Sequence, residues 1–279
     1  MSNHTQIAIV GSGFAGMGAA IKLRENGFND FAIFERADDV GGTWRDNTYP
    51  GCACDVESVL YSYSFDQNPN WSRSFSPQPE IQRYLKGVYA DKELQPKMRF
   101  GHEVLDARWD ESSKRWQIET SKGHYTADVL VSGMGGLCEP AYPSIKGLDK
   151  FEGNKFHSAR WDHDYDLRGK KVAVIGTGAS AIQFVPEIQP QVKKLTLFQR
   201  TPAWLIPRHD RAISDREHKL FNKYPALLNF MRGIVYLRRE LFVLGFKNPA
   251  IMRVVEQVSK LHLKSAIKDP VLRKKLTPS

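Results

Sequence analysis

Two glycine-rich stretches in this sequence have the residue types and spacing to hold a nucleotide pyrophosphate. In Ile7-Ala-Ile-Val-Gly-Ser-Gly-Phe-Ala-Gly16, Gly11, Gly13 and Gly16 form G-x-G-x-x-G. In Val172-Ala-Val-Ile-Gly-Thr-Gly-Ala-Ser-Ala181, Gly176, Gly178 and Ala181 form G-x-G-x-x-A. The first glycine of such a turn permits a tight reversal, the second lets the backbone approach the phosphates, and the third small residue lets the following helix pack close to the strand. The first amides of that helix then face the anion. Phe14 and Ala15 complete the first turn, and Thr177, Ala179 and Ser180 the second.

The residues at the end of the next apolar run separate the two sites. The run Phe31-Ala-Ile-Phe ends at Glu35, with Arg36 beside it, and Glu35 lies 24 residues after Gly11. The run Leu195-Thr-Leu-Phe leads to Arg200 and Thr201, with Arg200 24 residues after Gly176. An acid at this place accepts ribose hydroxyls and repels a 2′-phosphate, whereas an arginine attracts one. The contrast points to free ribose hydroxyls at the first site, as in FAD, and to NADPH at the second. A solvated strand-end charge is the alternative for Arg200. Gly42, Thr43 and Trp44 form a segment able to pass close to a planar ligand and lay an aromatic face beside it, or else a loop with one core tryptophan. Asp55, with Tyr49, Tyr61 and Tyr63 near it in sequence, reads as an acid in an aromatic setting that is either structurally paired or functional.

Between the turns, Phe151, Gly153, His157, Trp161 and Asp162 fit F-x-G-x-x-x-H-x-x-x-W-[P/D]. With Gly41–Trp44, Tyr49–Asp55 and Phe198–Pro202, this stretch makes the chain resemble the type I Baeyer–Villiger monooxygenases, within the wider flavin-containing monooxygenases. The resemblance covers roughly residues 5–210 well and the remainder loosely. It implies FAD and NADPH as cofactors and hydride transfer from NADPH to FAD. O2 then adds to give a peroxyflavin that inserts one oxygen atom into a ketone. Cofactor contacts are implied for the two turns and for Glu35, Arg36, Gly42, Thr43, Trp44, Asp55, Tyr61, Arg200 and Thr201. Catalytic roles are implied for Asp55, as the acid orienting an arginine from elsewhere in the enzyme, and for His157, which couples NADPH binding to domain position rather than acting as a base. The alternatives are an S- or N-oxygenating flavin monooxygenase acting on a heteroatom substrate, and a catalytically inactive nucleotide-binding fragment. The resembled family continues past residue 279, so the chain reads as the N-terminal portion of a longer enzyme and is expected to be inactive alone.

The elements that must position these residues are those of an α/β chain: two Rossmann-like dinucleotide-binding domains, the first incomplete, with a small antiparallel meander and a C-terminal helical segment. The expected boundaries are 1–145 for the FAD domain, 146–212 for the first part of the NADP domain and 213–279 for its helical insertion. Helices are expected over 14–27 and over 77–91. The second has Ser76 as its cap and Ile81, Tyr84, Leu85 and Val88 on the face that meets the sheet. Residues 102–131 have strand periodicity with turns at Asp110–Lys114 and Ser121–His124, and a further buried strand is expected from Val129. Helices then follow over 215–244, 249–267 and after Asp269.

The formal net charge is +9, but residues 211–279 carry 15 Lys and Arg against 5 Asp and Glu, so the basicity belongs to the helical tail. No nucleic-acid partner is expected on that basis. Arg238-Arg239 beside Leu241–Leu244 could suit an anionic membrane surface, yet such an apolar face more often meets its own core, and membrane contact is not expected. No apolar run approaches a membrane span and no charged-then-apolar leader follows Met1. Cys52, Cys54 and Cys138 form no C-x-x-C pair, which points to reduced thiols, no metal site and a cytoplasmic protein.

Overall fold

The computed structural model describes residues 3–278, without the side chains of Phe246, Pro249 and Ile251. Met1, where a leader would begin, lies outside the described residues. The chain divides into two compact units, Met1–Tyr49 with Gln78–Asp162, and Pro50–Pro77 with His163–Ser279. Residues 50–77, expected in the first domain, thus belong with the second unit, and 146–162 belong with the first.

The first unit is built on β1 (His4–Val10), α1 (Phe14–Glu25), β2 (Phe31–Phe34), α2 (Thr43–Asp46), α3 (Gln78–Asp91), β3 (Met98–Arg99), β4 (Val104–Asp110), β5 (Arg115–Thr120) and β6 (Gly123–Ser132). Its sheet has the order β3-β2-β1-β6-β5-β4. Parallel pairing sets Ile9 between Ile33 and Val131, and a strand enclosed this way is continuously apolar rather than alternating. Ile9, Ala8 and Ile33 are fully buried, as are Met17 and Ala20 of α1. On α3, Ile81, Leu85 and Val88 are buried as expected.

Two expectations for this unit are corrected. Val129 does not begin a separate buried strand: it lies within β6, which pairs antiparallel with β5 and parallel with β1, and it is 47% exposed. One strand serves both the meander and the nucleotide-type sheet, so its apolar end was mistaken for a new element. Ser76, expected as the cap of α3, lies in the second unit, where its hydroxyl bonds that of Ser58 at 2.6 Å. The Trp109 and Trp116 rings meet edge to face at 5.8 Å across the β4–β5 pair.

The second unit contains β7 (Lys171–Ile175), α4 (Ala181–Ile188), β8 (Lys194–Phe198), α5 (Asp215–Lys223), α6 (Pro225–Lys247), α7 (Pro249–Ala266) and α8 (Pro270–Leu276). β7 and β8 are parallel, with Val174 opposite Leu197, and α4 connects them. The helix expected over 215–244 is two helices, because Pro225 disfavours helical backbone at Tyr224, which sits at φ −129° and ψ 79°. Ser214 and Glu217 form a reciprocal cap on α5, and Asp269 accepts from Val271 and Leu272 amides at the start of α8.

Segment 50–77 is held in this unit by backbone contacts. Ser74 N–H donates to the Arg211 carbonyl at 2.8 Å, Ile213 N–H donates to the Ser72 carbonyl at 2.9 Å, and Arg73 pairs with Asp210 at 2.8 Å.

Close packing at the first turn has a direct consequence. A Cβ on Gly16 would overlap the Gly11 carbonyl oxygen, whereas one on Gly87, inside α3, would meet nothing within 4 Å. Gly16→Ala is expected to cost on the order of 2–4 kcal/mol, and Gly87→Ala to stabilise by about 0.5–1 kcal/mol. Urea melts of both variants check this, and a neutral Gly16→Ala contradicts it.

Candidate functional site

The first turn is shaped by two glycines that the protein itself requires and one that it does not. Gly11 sits at φ +95° and a Cβ there would lie 2.6 Å from the Gly133 carbonyl oxygen, so both its conformation and its surroundings exclude a side chain. Gly16 is equally enclosed. Gly13 is different: the nearest atoms to a Cβ would be 3.9 Å away, on Gly41 and Gly42. The protein leaves room beside Gly13, as expected where a ligand approaches the backbone. Phe14 opens α1 with its ring stacked on Tyr84 at 6.1 Å, and Ala15 is exposed.

Glu35 lies where β2 ends, buried to 4% exposure. One carboxylate oxygen accepts from Ser12 N–H at 3.0 Å and Ser12 Oγ at 2.6 Å. The other accepts from Ala37 N–H at 3.0 Å and pairs with Arg45 Nη1 at 3.0 Å. Burial by itself would raise the Glu35 pKa. The Ser12 hydroxyl, the Ala37 amide, the Arg45 charge and the Ser12 amide outweigh it and hold the group below its ordinary 4.5. Glu35 is therefore an ionised clasp between the turn after β1 and the end of β2. Ser12 and Arg45 are partners that sequence reasoning missed: Ser12 occupies an unconstrained position of the glycine motif, and nothing local pairs Arg45 with Glu35.

Around this clasp, Gly41 N–H donates to the Ser12 carbonyl at 3.1 Å, which brings the 41–44 segment to the turn. Gly42, at φ +53°, would place a Cβ 3.3 Å from Gly13 Cα, so these two glycines adjoin. Thr43 is exposed. Trp44 is buried and its carbonyl accepts from Gln78 Nε2, the arrangement of a core tryptophan. Arg36 pairs with Glu139 and lies 3.9 Å from Asp46. The structure thus brings Gly11–Gly16, Glu35 and Gly42–Trp44 together.

His157, also in this unit, precedes the short turn of 3-10 helix at Ser158–Arg160. Its Nδ1 accepts from Ala159 N–H at 3.1 Å, which leaves Nε2 as the position able to carry a proton. Its ring meets Tyr142 edge to face at 6.0 Å. The neighbouring fingerprint positions are packed on one another: the Phe151 ring covers Gly153, where a Cβ would collide with it, and Trp161 meets Phe156 at 5.1 Å. Asp162 accepts from Asn154 Nδ2 at 2.9 Å.

In the second unit, Gly176 has φ +102°, and a Cβ on it or on Gly178 would meet nothing within 4 Å. Ala181, at the start of α4, is buried. Thr177 and Ser180 are half-buried, and Ala179, Arg200 and Thr201 are exposed beyond the turn and beyond β8.

Asp55 is exposed. Tyr61 is half-buried, held by its own N–H donating to the Glu57 carbonyl at 3.0 Å. The Asp55 carbonyl accepts from Arg239 at 2.9 Å, and Glu57 pairs with both Arg238 and Arg239. Nearby, burial pushes the Cys54 thiol up to about 11, so it stays protonated and unreactive. Among the described residues no two of the three cysteines form a disulfide. Among the described residues no group of His, Cys, Asp and Glu could hold a metal ion, and no helix is long and apolar enough to cross a membrane.

Residues 8–220 match the family model described as pyridine nucleotide-disulphide oxidoreductase. A Baeyer–Villiger monooxygenase of Streptomyces coelicolor is 56% identical over 276 residues, which is 99% of this chain and 53% of that protein. An oxidized steroid monooxygenase bound to NADP superposes with a TM-score of 0.85 at 33% identity, over 99% of this chain and 60% of that one. OTEMO in complex with FAD and NADP gives a TM-score of 0.84 at 29% identity, again over 99% of this chain and 60% of that one. The chain spans about half the length of the curated relatives it matches.

The depressed Glu35 value fixes the sign of a pH effect. A carboxylate whose folded pKa lies below its unfolded value contributes stability above the unfolded value and loses it as pH falls through the folded one. Glu35→Gln is expected to cost about 1–3 kcal/mol at pH 7, with the deficit shrinking as pH falls below 4.5. Paired urea melts at neutral and acid pH measure it, and a deficit that does not change with pH rules out an ionised clasp.

Proposed function

The chain belongs to the pyridine nucleotide-disulphide oxidoreductase family, and from that premise we propose that it binds FAD at Gly11–Gly16 and NADPH at Gly176–Ala181. At the length of its relatives, the protein would insert one oxygen atom of O2 into a ketone, in the manner named for the Streptomyces relative. The observation that carries the assignment is the opposite charge at equivalent places, Glu35 in one unit and Arg200 in the other. Open backbone beside Gly13, Gly176 and Gly178 supports the fit of a pyrophosphate to both turns. A reducing, cytoplasmic setting accords with the three free thiols.

Bound FAD, reduced by NADPH, supplies the activation of O2. The chain's own residues bind and orient. Amides at the start of α1 and of α4 receive the two pyrophosphates. Both carboxylate oxygens of Glu35 are engaged within the protein, so a ribose hydroxyl reaching it must displace a donor. The Ser12 hydroxyl, whose hydrogen can be turned to another acceptor, is the one that would yield. Arg200, exposed beyond β8, would hold the 2′-phosphate in a charge-assisted pair. His157, its Nδ1 committed to the Ala159 amide, holds the segment before Trp161 in place rather than taking a proton from substrate. Asp55 presents its carboxylate from a backbone fixed by Arg239 and acts by orienting a cationic side chain.

Calorimetric titration of the 279-residue chain tests the NADPH assignment. Arg200→Ala is expected to weaken NADPH by about 1.5–3 kcal/mol and leave NADH nearly unchanged. Equal losses for both nucleotides would sink the assignment. Gly13→Val, which fills the open side of the first turn, is expected to abolish FAD retention on gel filtration while leaving NADPH affinity within about twofold, as for substitutions at independent places.

A further inference from the structure

The proposed NADPH turn runs directly into α4, and α4 carries a side chain that reaches the backbone of the 50–77 segment. Gln183, half-buried one turn into the helix, grips the backbone of Ala53 at two points. Ala53 N–H donates to Gln183 Oε1 at 3.1 Å, and Gln183 Nε2 donates to the Ala53 carbonyl at 3.0 Å. A side-chain amide that satisfies both backbone groups of one residue mimics a β-bridge and fixes that residue in position and orientation. The approach is close as well. Gly51 sits at φ +73°, and a Cβ on it would lie 2.9 Å from both the Gln183 carbonyl oxygen and Glu187 Cγ. Any side chain at 51 would lift the loop from α4.

Two residues beyond Ala53 is Asp55, whose carbonyl is held from the other direction by Arg239 of α6. The Asp55 carboxylate thus stands on a short span of backbone anchored at one end to α4 and at the other to α6. Of these two anchors, α4 is the one that begins at a nucleotide turn. A shift or stiffening of α4 when its N-terminal amides take up a pyrophosphate is carried through Gln183 to Ala53.

We propose that Gln183 is a positioning residue that couples occupancy of the Gly176–Ala181 turn to the placement of Asp55. The proposal rests on the assignment of NADPH to that turn. It says that the loop at 51–55 becomes more ordered when NADP+ is bound, and that the route is the Gln183 amide. Coupling of this kind is a free energy shared between two places and is read as a change at one when the other is filled.

The test is amide hydrogen exchange of the 279-residue chain with and without NADP+, for the parent and for Gln183→Met, which keeps the side-chain length and removes both hydrogen bonds. In the parent, NADP+ should slow exchange at 176–184 and also at 52–55, the latter by about fivefold or more. In Gln183→Met, NADP+ should still slow 176–184 but leave 52–55 unchanged. A purely structural role for Gln183 would raise exchange at 52–55 equally with and without NADP+, and would overturn the proposal. So would NADP+ protection of 176–184 without any effect at 52–55 in the parent, or an equal effect at 52–55 in both proteins. Failure of NADP+ to protect 176–184 in the parent refutes the nucleotide assignment itself, and the coupling falls with it. Should Gln183→Met not fold, Gly51→Ala breaks the same joint from the loop side and is expected to give the same loss of response at 52–55.

Discussion

The Glu35 carboxylate is the constraint on which the geometry of the first nucleotide site depends. A buried charge is tolerated only when its acceptor positions are filled, and here Ser12, Ala37 and Arg45 fill them. That requirement pins the glycine turn to the end of β2 and brings Arg45, and with it the short helix α2, against the same point. The Gly41 amide donating to the Ser12 carbonyl then places Gly42 beside Gly13. The open side of Gly13 is thus a consequence of where Glu35 sits. An acid here builds the turn, and in the proposed FAD site it would also set the sign of charge that a ribose meets.

The second unit reaches a comparable result by other means. Its turn lacks a buried carboxylate, and the residue at the end of its second strand is the exposed Arg200. The loop 50–77 in this unit is tied by long side chains reaching to its backbone: Gln183 to Ala53, Arg239 to Asp55, and Arg232 to the Val59 and Leu60 carbonyls. A loop without regular pairing must satisfy its backbone groups somehow, and here helices α4 and α6 supply the donors and acceptors. An exposed carboxylate and a fixed backbone are thereby combined at Asp55.

Local necessities were legible in the sequence, and long-range pairings were not. Gly11 and Gly16 could be recognised because tight reversal and close packing leave no other residue. β1 and β2 could be recognised because strands buried on both faces are apolar throughout. The cap at Asp269 announces itself by being followed by Pro270. Ser12, Arg45, Gln183 and Arg239 act on residues far away in sequence and leave no periodicity, so their roles emerge only in three dimensions. The break at Tyr224 was present in the sequence as Pro225, but the helical pattern on either side obscured it. The exposure of Asp55 is likewise not written in its aromatic sequence neighbours, because the backbone at 53–55 is held by long side chains of α4 and α6.

The proposal of two nucleotide sites of opposite preference on one chain, assigned to Glu35 and Arg200, is tested most directly by a crystal structure of the 279-residue chain grown with both FAD and NADP+. The expected result is the FAD pyrophosphate at the amides after Gly13, with its adenosine ribose at Glu35, and the NADP+ 2′-phosphate within ion-pair distance of Arg200. FAD at the Gly176 turn, or a 2′-phosphate held by residues other than Arg200, would contradict it.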